Sequence, residues 1–190
     1  PLMEILCNSL KLEGDSADGA RLDLKFGNNN STDVISSITF SNGAGEAARI
    51  QGETNAANNN GVITFHTDSS GTSGERMRID SDGRLLIGTT TEGNSSADDL
   101  TIAGTGHAGI TIRSGTSNQG AIYFSDATSG NAEFDGFIAY QQSTNALGLG
   151  TNSLERIRID SSGKVGINES SPLAKFHVKV ADSGASAYAH

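Results

Sequence analysis

One stretch constrains this chain more than any other. Residues 75–88 read ERMRIDSDGRLLIG, and residues 155–167 repeat them as ERIRIDSSGKVGI. In the first copy Met77 and Ile79 alternate with Arg76 and Arg78. In the second, Ile157 and Ile159 alternate with Arg156 and Arg158. A period of two puts the apolar pair on one face of a strand and the arginines on the other. Four turn formers follow, Asp80-Ser81-Asp82-Gly83 in one copy and Asp160-Ser161-Ser162-Gly163 in the other. Asp and Ser side chains bond nearby backbone groups, and Gly accepts a positive φ. Alternation resumes with Leu85 and Ile87, or Val165 and Ile167. The pattern predicts strand, tight turn, strand: a β-hairpin. Leu86 has the other parity and is Gly166 in the second copy. Its side is expected to tolerate loss of the side chain, which leaves Leu85 and Ile87 to mark the core face.

The hairpin closes two related halves. Leu10 and Leu12 match Leu100 and Ile102, and Leu22 and Leu24 match Ile110 and Ile112. ITFS at 38–41 matches IYFS at 122–125, and VITFHT at 62–67 matches ALGLGT at 146–151 more weakly. PLMEILC at 1–7 returns as PLAKFHV at 172–178. The expected organisation is a first β repeat over 1–91, a second over 92–171, and the truncated start of a further repeat over 172–190. The chain begins at Pro1 and is expected to be a piece of a longer protein. Loops are predicted at 27–32, 55–61, 68–74, 92–99 and 128–131. The best helix candidate, residues 45–50, is too short to stand alone. Short strands separated by turn signals predict an all-β fold.

Composition says how such strands must be covered. Gly, Ser, Thr and Asn make up 79 of the 190 residues. Hydrophobic residues are 35%, against the roughly 45–50% usual in globular domains. Ordering each residue costs roughly 1–2 kcal/mol of backbone entropy, so one chain this polar supports only a thin core. The apolar residues nevertheless cluster in alternating rows, so burial is expected to be completed by other copies of the chain. A net charge of −9 lacks the positive footprint of a nucleic-acid partner. No apolar run reaches the roughly 20 residues that a membrane-spanning helix needs. Cys7 is the only cysteine, so no intrachain disulfide is possible.

Motifs that could carry chemistry read more simply as structure. GTGHAG at 104–109 fits a dinucleotide-binding fingerprint, but that chemistry needs a helix to follow. Ile110 and Ile112 predict a strand there, so the motif reads as a loop. Asp80 to Gly83 open like a calcium loop, yet Arg84 and Leu85 stand where further ligands belong, and Ser162 replaces Asp82 in the second copy. A turn is the expected role. Carboxylate pairs for glycoside hydrolysis, Asp98 with Asp99 or Glu133 with Asp135, lack an accompanying aromatic cluster for sugar stacking. Glu75, Arg76 and Arg78, with Glu155, Arg156 and Arg158, could bind an anionic glycan. The simpler expectation is a solvated face of cross-strand or intersubunit ion pairs. His66, His107, His177 and His190 share no ligand spacing. No catalytic, cofactor or metal residues are assigned, and no cofactor is expected.

The paired hairpin stretches, together with SGTSNQGAIYFSD at 114–126, resemble the repeats in tail fibres of tailed bacteriophages, of the kind familiar from marine and cyanobacterial viruses. The resemblance covers nearly the whole chain. It implies an elongated, hairpin-built shaft, intertwined as a parallel homotrimer. Such repeats often lie upstream of an intramolecular chaperone domain of the endosialidase type. Met77, Ile79, Leu85, Ile87, Ile157, Ile159, Val165 and Ile167 would then form the core face of the trimer. The implied setting is the virion, with other tail or baseplate proteins as partners and loops available to a host surface glycan or protein. The implied role is structural and non-enzymatic. Three alternatives stay open: a receptor-binding or capsid-decorating module, a polysaccharide-degrading tailspike, and a cellular surface adhesin built from the same repeats.

Overall fold

The computed structural model describes Leu24, residues 34–57 and 59–180, and the backbone of residues 186–189. The expectations for residues 1–7, for Leu10, Leu12 and Leu22, for the 27–32 loop and for His190 lie outside the described residues. The chain divides into two compact units between Gly109 and Ile110, and each unit is built on one sheet. The first sheet runs in sequence order through β1 (Val34–Asn42), β2 (Gly45–Thr54), β3 (Gly61–Ser69), β4 (Thr72–Ile79), β5 (Leu85–Ile87) and β6 (Leu100–Ile102). The second runs through β7 (Gln119–Phe124), β8 (Gly136–Gln141), β9 (Ala146–Thr151), β10 (Leu154–Ile159), β11 (Val165–Ile167), β12 (Phe176–Lys179) and β13 (Ser186–Ala189). The only helical element among the described residues is a 3-10 turn, Asn131–Phe134. The all-β expectation holds.

The matched segments fall on equivalent strands. ITFS and IYFS lie on the first strand of each sheet, and VITFHT and ALGLGT on the third. Both hairpin motifs form, with Met77 opposite Ile87 and Ile157 opposite Ile167. Neighbours pair antiparallel except at β5–β6 and β11–β12, which are parallel. Each sheet thus takes its parallel strand from beyond the expected repeat boundary, β6 after residue 91 and β12 after residue 171.

Several local expectations need correction. Residues 45–50, too short for a helix, are the start of β2, and Ala48–Ile50 pair on both sides, with β1 and β3. The 68–74 loop shrinks to a two-residue turn, Ser70-Gly71, with φ of 56° and 82°. Positive φ at both positions matches the right-handed twist of the flanking strands, so β3 and β4 run into the predicted loop. Ile110 and Ile112 belong to no strand. Among the described residues they pair with no strand, and both are exposed.

Leu86 also reverses its expected role. It is 1% exposed, on the face shared with its register partners Arg78 and Thr101. The crossover of residues 88–99 passes over this face, where the Gly93 amide donates to Thr101 Oγ1 at 2.9 Å. In the second unit the crossover is shorter, residues 168–175. A Cβ on Gly166 would lie 2.0 Å from the Glu169 carbonyl oxygen. Gly166 therefore marks a closer backbone approach, not a dispensable side chain. Leu86→Ala is expected to cost about 2–5 kcal/mol of unfolding free energy, and Gly166→Leu to destabilise by forcing the crossover outward. Urea denaturation checks both, and an unchanged midpoint in Leu86→Ala would contradict this packing.

Candidate functional site

Register carries the predicted face residues together. Ile79 pairs with Leu85 and Met77 with Ile87, and β3 adds Ile63 opposite Ile79 and Phe65 opposite Met77. The row continues through Ile50 and Ile38 on one side and Leu100 and Ile102 on the other. In the second sheet Ile159 pairs with Val165 and Ile157 with Ile167. That row extends through Leu149, Ile138 and Ile122 on one side and through Val178 on the other. Alternation in the sequence marks these additional members too, but β2, which links the first row, has weaker strand composition.

The apolar row is the bare face of each sheet. Phe40 is 53% exposed, Ile63 47%, Leu100 48%, Ile122 48% and Phe124 59%. Of the eight predicted face residues, Ile79 and Ile159 are exposed and the other six half-buried. The opposite, more polar face holds the buried residues Val62, Thr64, Gln51 and Leu86 in the first unit, and Ala139, Ala146 and His177 in the second.

On the polar face of the first sheet a chain of hydrogen bonds fixes the side chains. Ser73 Oγ donates to Glu46 at 3.0 Å, and Arg49 donates to Glu46 at 2.8 Å. Arg49 Nη2 reaches His66 Nδ1 at 3.3 Å, and His66 Nε2 reaches Thr64 Oγ1 at 3.0 Å. Thr64 Oγ1 donates to Glu53 at 2.9 Å. The single hydroxyl hydrogen is thus spent on Glu53. His66 Nε2 must then be the donor to Thr64, and Nδ1 the acceptor from Arg49.

The repeated ion pair sits on this same face. Arg78 Nε donates to Glu75 at 2.6 Å, and Arg158 makes a two-pronged pair with Glu155 at 2.7 and 2.8 Å. Within the chain these pairs run along one strand, not across strands as expected. A bulge is the reason: His66 faces Glu75 while Phe65 faces Met77, so Arg76 is the extra residue. Arg156 is its counterpart. Glu75 and Arg78 are thereby turned to one face, and Arg76 donates instead to Thr67 Oγ1 at 2.9 Å. The hydrogen bond that Arg78 donates to Glu75 holds the guanidinium protonated more firmly than usual, against the opposing effect of burial.

The Asp80 and Asp160 turns are built alike. Asp80 Oδ1 accepts from the amides of Asp82 and Arg84, both at 3.0 Å, and Oδ2 accepts from Arg84 Nε at 2.8 Å. Asp160 Oδ1 accepts from Ser162 and Lys164 amides at 2.8 and 2.9 Å. Both oxygens of Asp80 are committed to the turn, in keeping with its expected role. Arg84 also pairs with Asp82 and Asp98, at 2.9 and 3.2 Å.

The remaining candidates scatter. GTGHAG is a loop with no helix after it. His66 lies on β3, His107 in that loop and His177 on β12. Asp99 is exposed and gives its carbonyl to the Leu85 amide. Asp135 accepts from Ser153 Oγ at 2.8 Å, while Glu133 is exposed. The expectation that no aromatic cluster accompanies this acid pair is corrected. Phe134, between the two acids, packs edge-on against Tyr123 with ring centroids 6.2 Å apart, and Phe137 lines the same depression. The three rings are separated in sequence, and only the β7–β8 pairing and the 3-10 turn bring them together.

No family model matches the chain, and no curated protein matches it. Among solved structures it is similar to the carboxy-terminal domain of the bacteriophage T5 L-shaped tail fibre with its intramolecular chaperone domain, at 12% identity and a TM-score of 0.44. The similarity covers 86% of this chain and 63% of that one.

Burial pushes the Asp80 carboxyl up, but the hydrogen bonds from Arg84 and Asp82 outweigh it and hold the group below the usual carboxylate range. The Lys164 amide, followed by that of Ser162, does the same for Asp160. A depressed carboxyl stabilises the fold above its unfolded pKa, and that stability is lost as pH falls through the folded value. Stability should therefore fall as the pH drops below about 4. Asp80→Asn/Asp160→Asn is expected to be less stable at neutral pH and to lose less on acidification. Thermal melting across a pH series checks this; parallel curves for the two proteins would contradict it.

Proposed function

We propose that this chain is a structural segment of a bacteriophage tail fibre, a parallel homotrimer in the virion that supports attachment to the host. The observation that carries the proposal is the bare apolar row on both sheets. Single exposed hydrophobic residues are ordinary on protein surfaces, but a contiguous row across five or six strands needs a cover. Each large side chain that is fully covered contributes roughly 1.5–3 kcal/mol, stability that the thin core of a single chain forgoes. A second copy is the natural cover, because it presents the same apolar row at the same spacing. The repeated hairpin lets one mode of contact recur along the chain. The sequence resemblance to tail-fibre repeats supports three copies in parallel, with Met77, Ile79, Leu85, Ile87, Ile157, Ile159, Val165 and Ile167 at the shared core.

In this role the chain acts mechanically and not as an enzyme. Its carboxylates at the turns and on the polar face are engaged in turns and ion pairs. Other tail or baseplate proteins would be its partners at the ends of the segment. Light scattering is expected to give three times the 19.6 kDa chain mass. Ile79→Asp/Ile159→Asp is expected to dissociate the assembly by placing a charge in each apolar row. A stable monomer of the unmodified chain at micromolar concentration would overturn the proposal.

A further inference from the structure

The two sheets end differently. In the second, β12 is followed by β13, which pairs antiparallel along its outer side. In the first, β6 is the last strand, and among the described residues no strand pairs along its outer side. The repeat nevertheless supplies a counterpart of β13. That strand starts ten residues after the start of β12, and Ile110 lies ten residues after the start of β6. Residues 110–113 thus hold the place in the repeat that β13 fills. They alternate as a strand does, with Ile110 and Ile112 on one parity, 67% and 47% exposed. Among the described residues none of their backbone groups makes a hydrogen bond. The chain therefore carries an edge without its strand and a strand without its edge.

We infer that residues 110–113 of a second copy of the chain pair antiparallel with β6 and complete the first sheet. An open edge is a template for such addition, in which main-chain hydrogen bonds give affinity and alternate side chains give register. The inference rests on the self-association proposed above and names the segment through which it is made.

Two observations favour a second copy over the chain's own segment. The first is anchoring. A Cβ on Gly120 would lie 3.2 Å from Ile112 Cγ2, so Ile112 rests against the start of β7. Leu24, its match in the first half, sits likewise beside Ile38, Ile50 and Ile63. The side chain is kept by the sheet that follows it, while the backbone stays open to a neighbour. The second is register. Copying the β13 pairing, in which Ala189 stands opposite Phe176, would set Arg113 opposite Leu100 in the apolar row. A shift of one residue sets Ile112 opposite Leu100 and Ile110 opposite Ile102, and the row gains two members. The connection from β6 to Ile110 matches that from β12 to β13 in length and would hold the β13 register. A strand from another copy is free of that connection.

Disulfide trapping tests the inference. Opposed residues in antiparallel strands have Cα atoms about 4.5–5.5 Å apart, within the span a disulfide bridges. Two full chains, both carrying Cys7→Ser, are co-expressed, one with Leu100→Cys and the other with Ile112→Cys. Both sites are exposed, so neither change threatens the fold. Mild oxidation is expected to give a covalent dimer of the two variants, and none from either variant alone. Thr111→Pro/Ile112→Pro removes two amides that bond nothing in the single chain. It should leave the far-ultraviolet circular dichroism unchanged and weaken association about tenfold or more. A trimer by light scattering that yields no mixed dimer would overturn the inference and leave the assembly proposal standing. So would a dimer formed equally by either variant alone, a bond that closes within one chain carrying both cysteines, or undiminished association of the proline variant. A monomer throughout would overturn both.

Discussion

Strand register is the constraint on which the rest depends. Once β4 pairs with β3 and β5, each apolar residue is aligned with another across the sheet, and a slip of one residue would turn the whole row over. The resulting surface is broad, apolar and uncovered in a single chain. Backbone pairing alone cannot stabilise a sheet this polar, because the net gain per hydrogen bond is about 1 kcal/mol and the entropy cost per residue is as large. In the proposed assembly, burial of the apolar row supplies what backbone pairing does not. The row is thus both the product of register and the reason the register must be unique.

The devices that set register are small and repeated. A carboxylate at the start of each hairpin turn accepts two amides that would otherwise face solvent, and Gly83 and Gly163 supply φ of 84° and 70° at its end. At the next bend Gly88 has φ 72°, and a Cβ there would meet the Ala103 carbonyl oxygen at 2.2 Å. Its counterpart Asn168 has φ 52°, a conformation that Asn tolerates better than most residues. A bulge on β4 and on β10 then adds local twist and rotates Glu75 and Glu155 onto the face of Arg78 and Arg158. Each partly buried pair is worth about 1 kcal/mol or less. Its larger effect is to cover the polar face with the stems of long side chains, which leaves the apolar face as the one open to association.

Much of this was legible in the sequence, for identifiable reasons. A hairpin written twice, with period-two alternation on either side of an Asp-to-Gly turn, is a local signal, and both hairpins form as read. The matched segments at 38–41 and 122–125 fell on equivalent strands because they carry the same alternation. What escaped was non-local. Residues 45–50 contain Ala, Arg and Glu and carry no alternation that marks a strand, and pairing with β1 and β3 is what makes them one. Leu86 looked dispensable because its counterpart is Gly166, yet the difference lies in how closely two crossovers of unequal length approach the sheet. The Glu75–Arg78 pair required a bulge that alternation does not reveal. Tyr123, Phe134 and Phe137 meet only after β7 and β8 have paired.

Repetition also gives the departures from it a meaning. Residues that agree between the two sheets serve what the sheets share, which is the apolar row and the turn that aligns it. Residues that differ are free of that duty, so the opposite face can be specialised without disturbing register. In the first unit that freedom is used to fill the face with a continuous polar network, closed from Ser73 to Glu53. In the second the same positions carry Phe137, Ala139, Gly148 and Gly150, and the polar network is absent. Loss of side chains across a sheet interior removes packing, and small residues in strands weaken them further. Here the loss is made good by neighbouring strands, whose Phe137 and Glu155 side chains take the space that Gly150 and Gly148 leave.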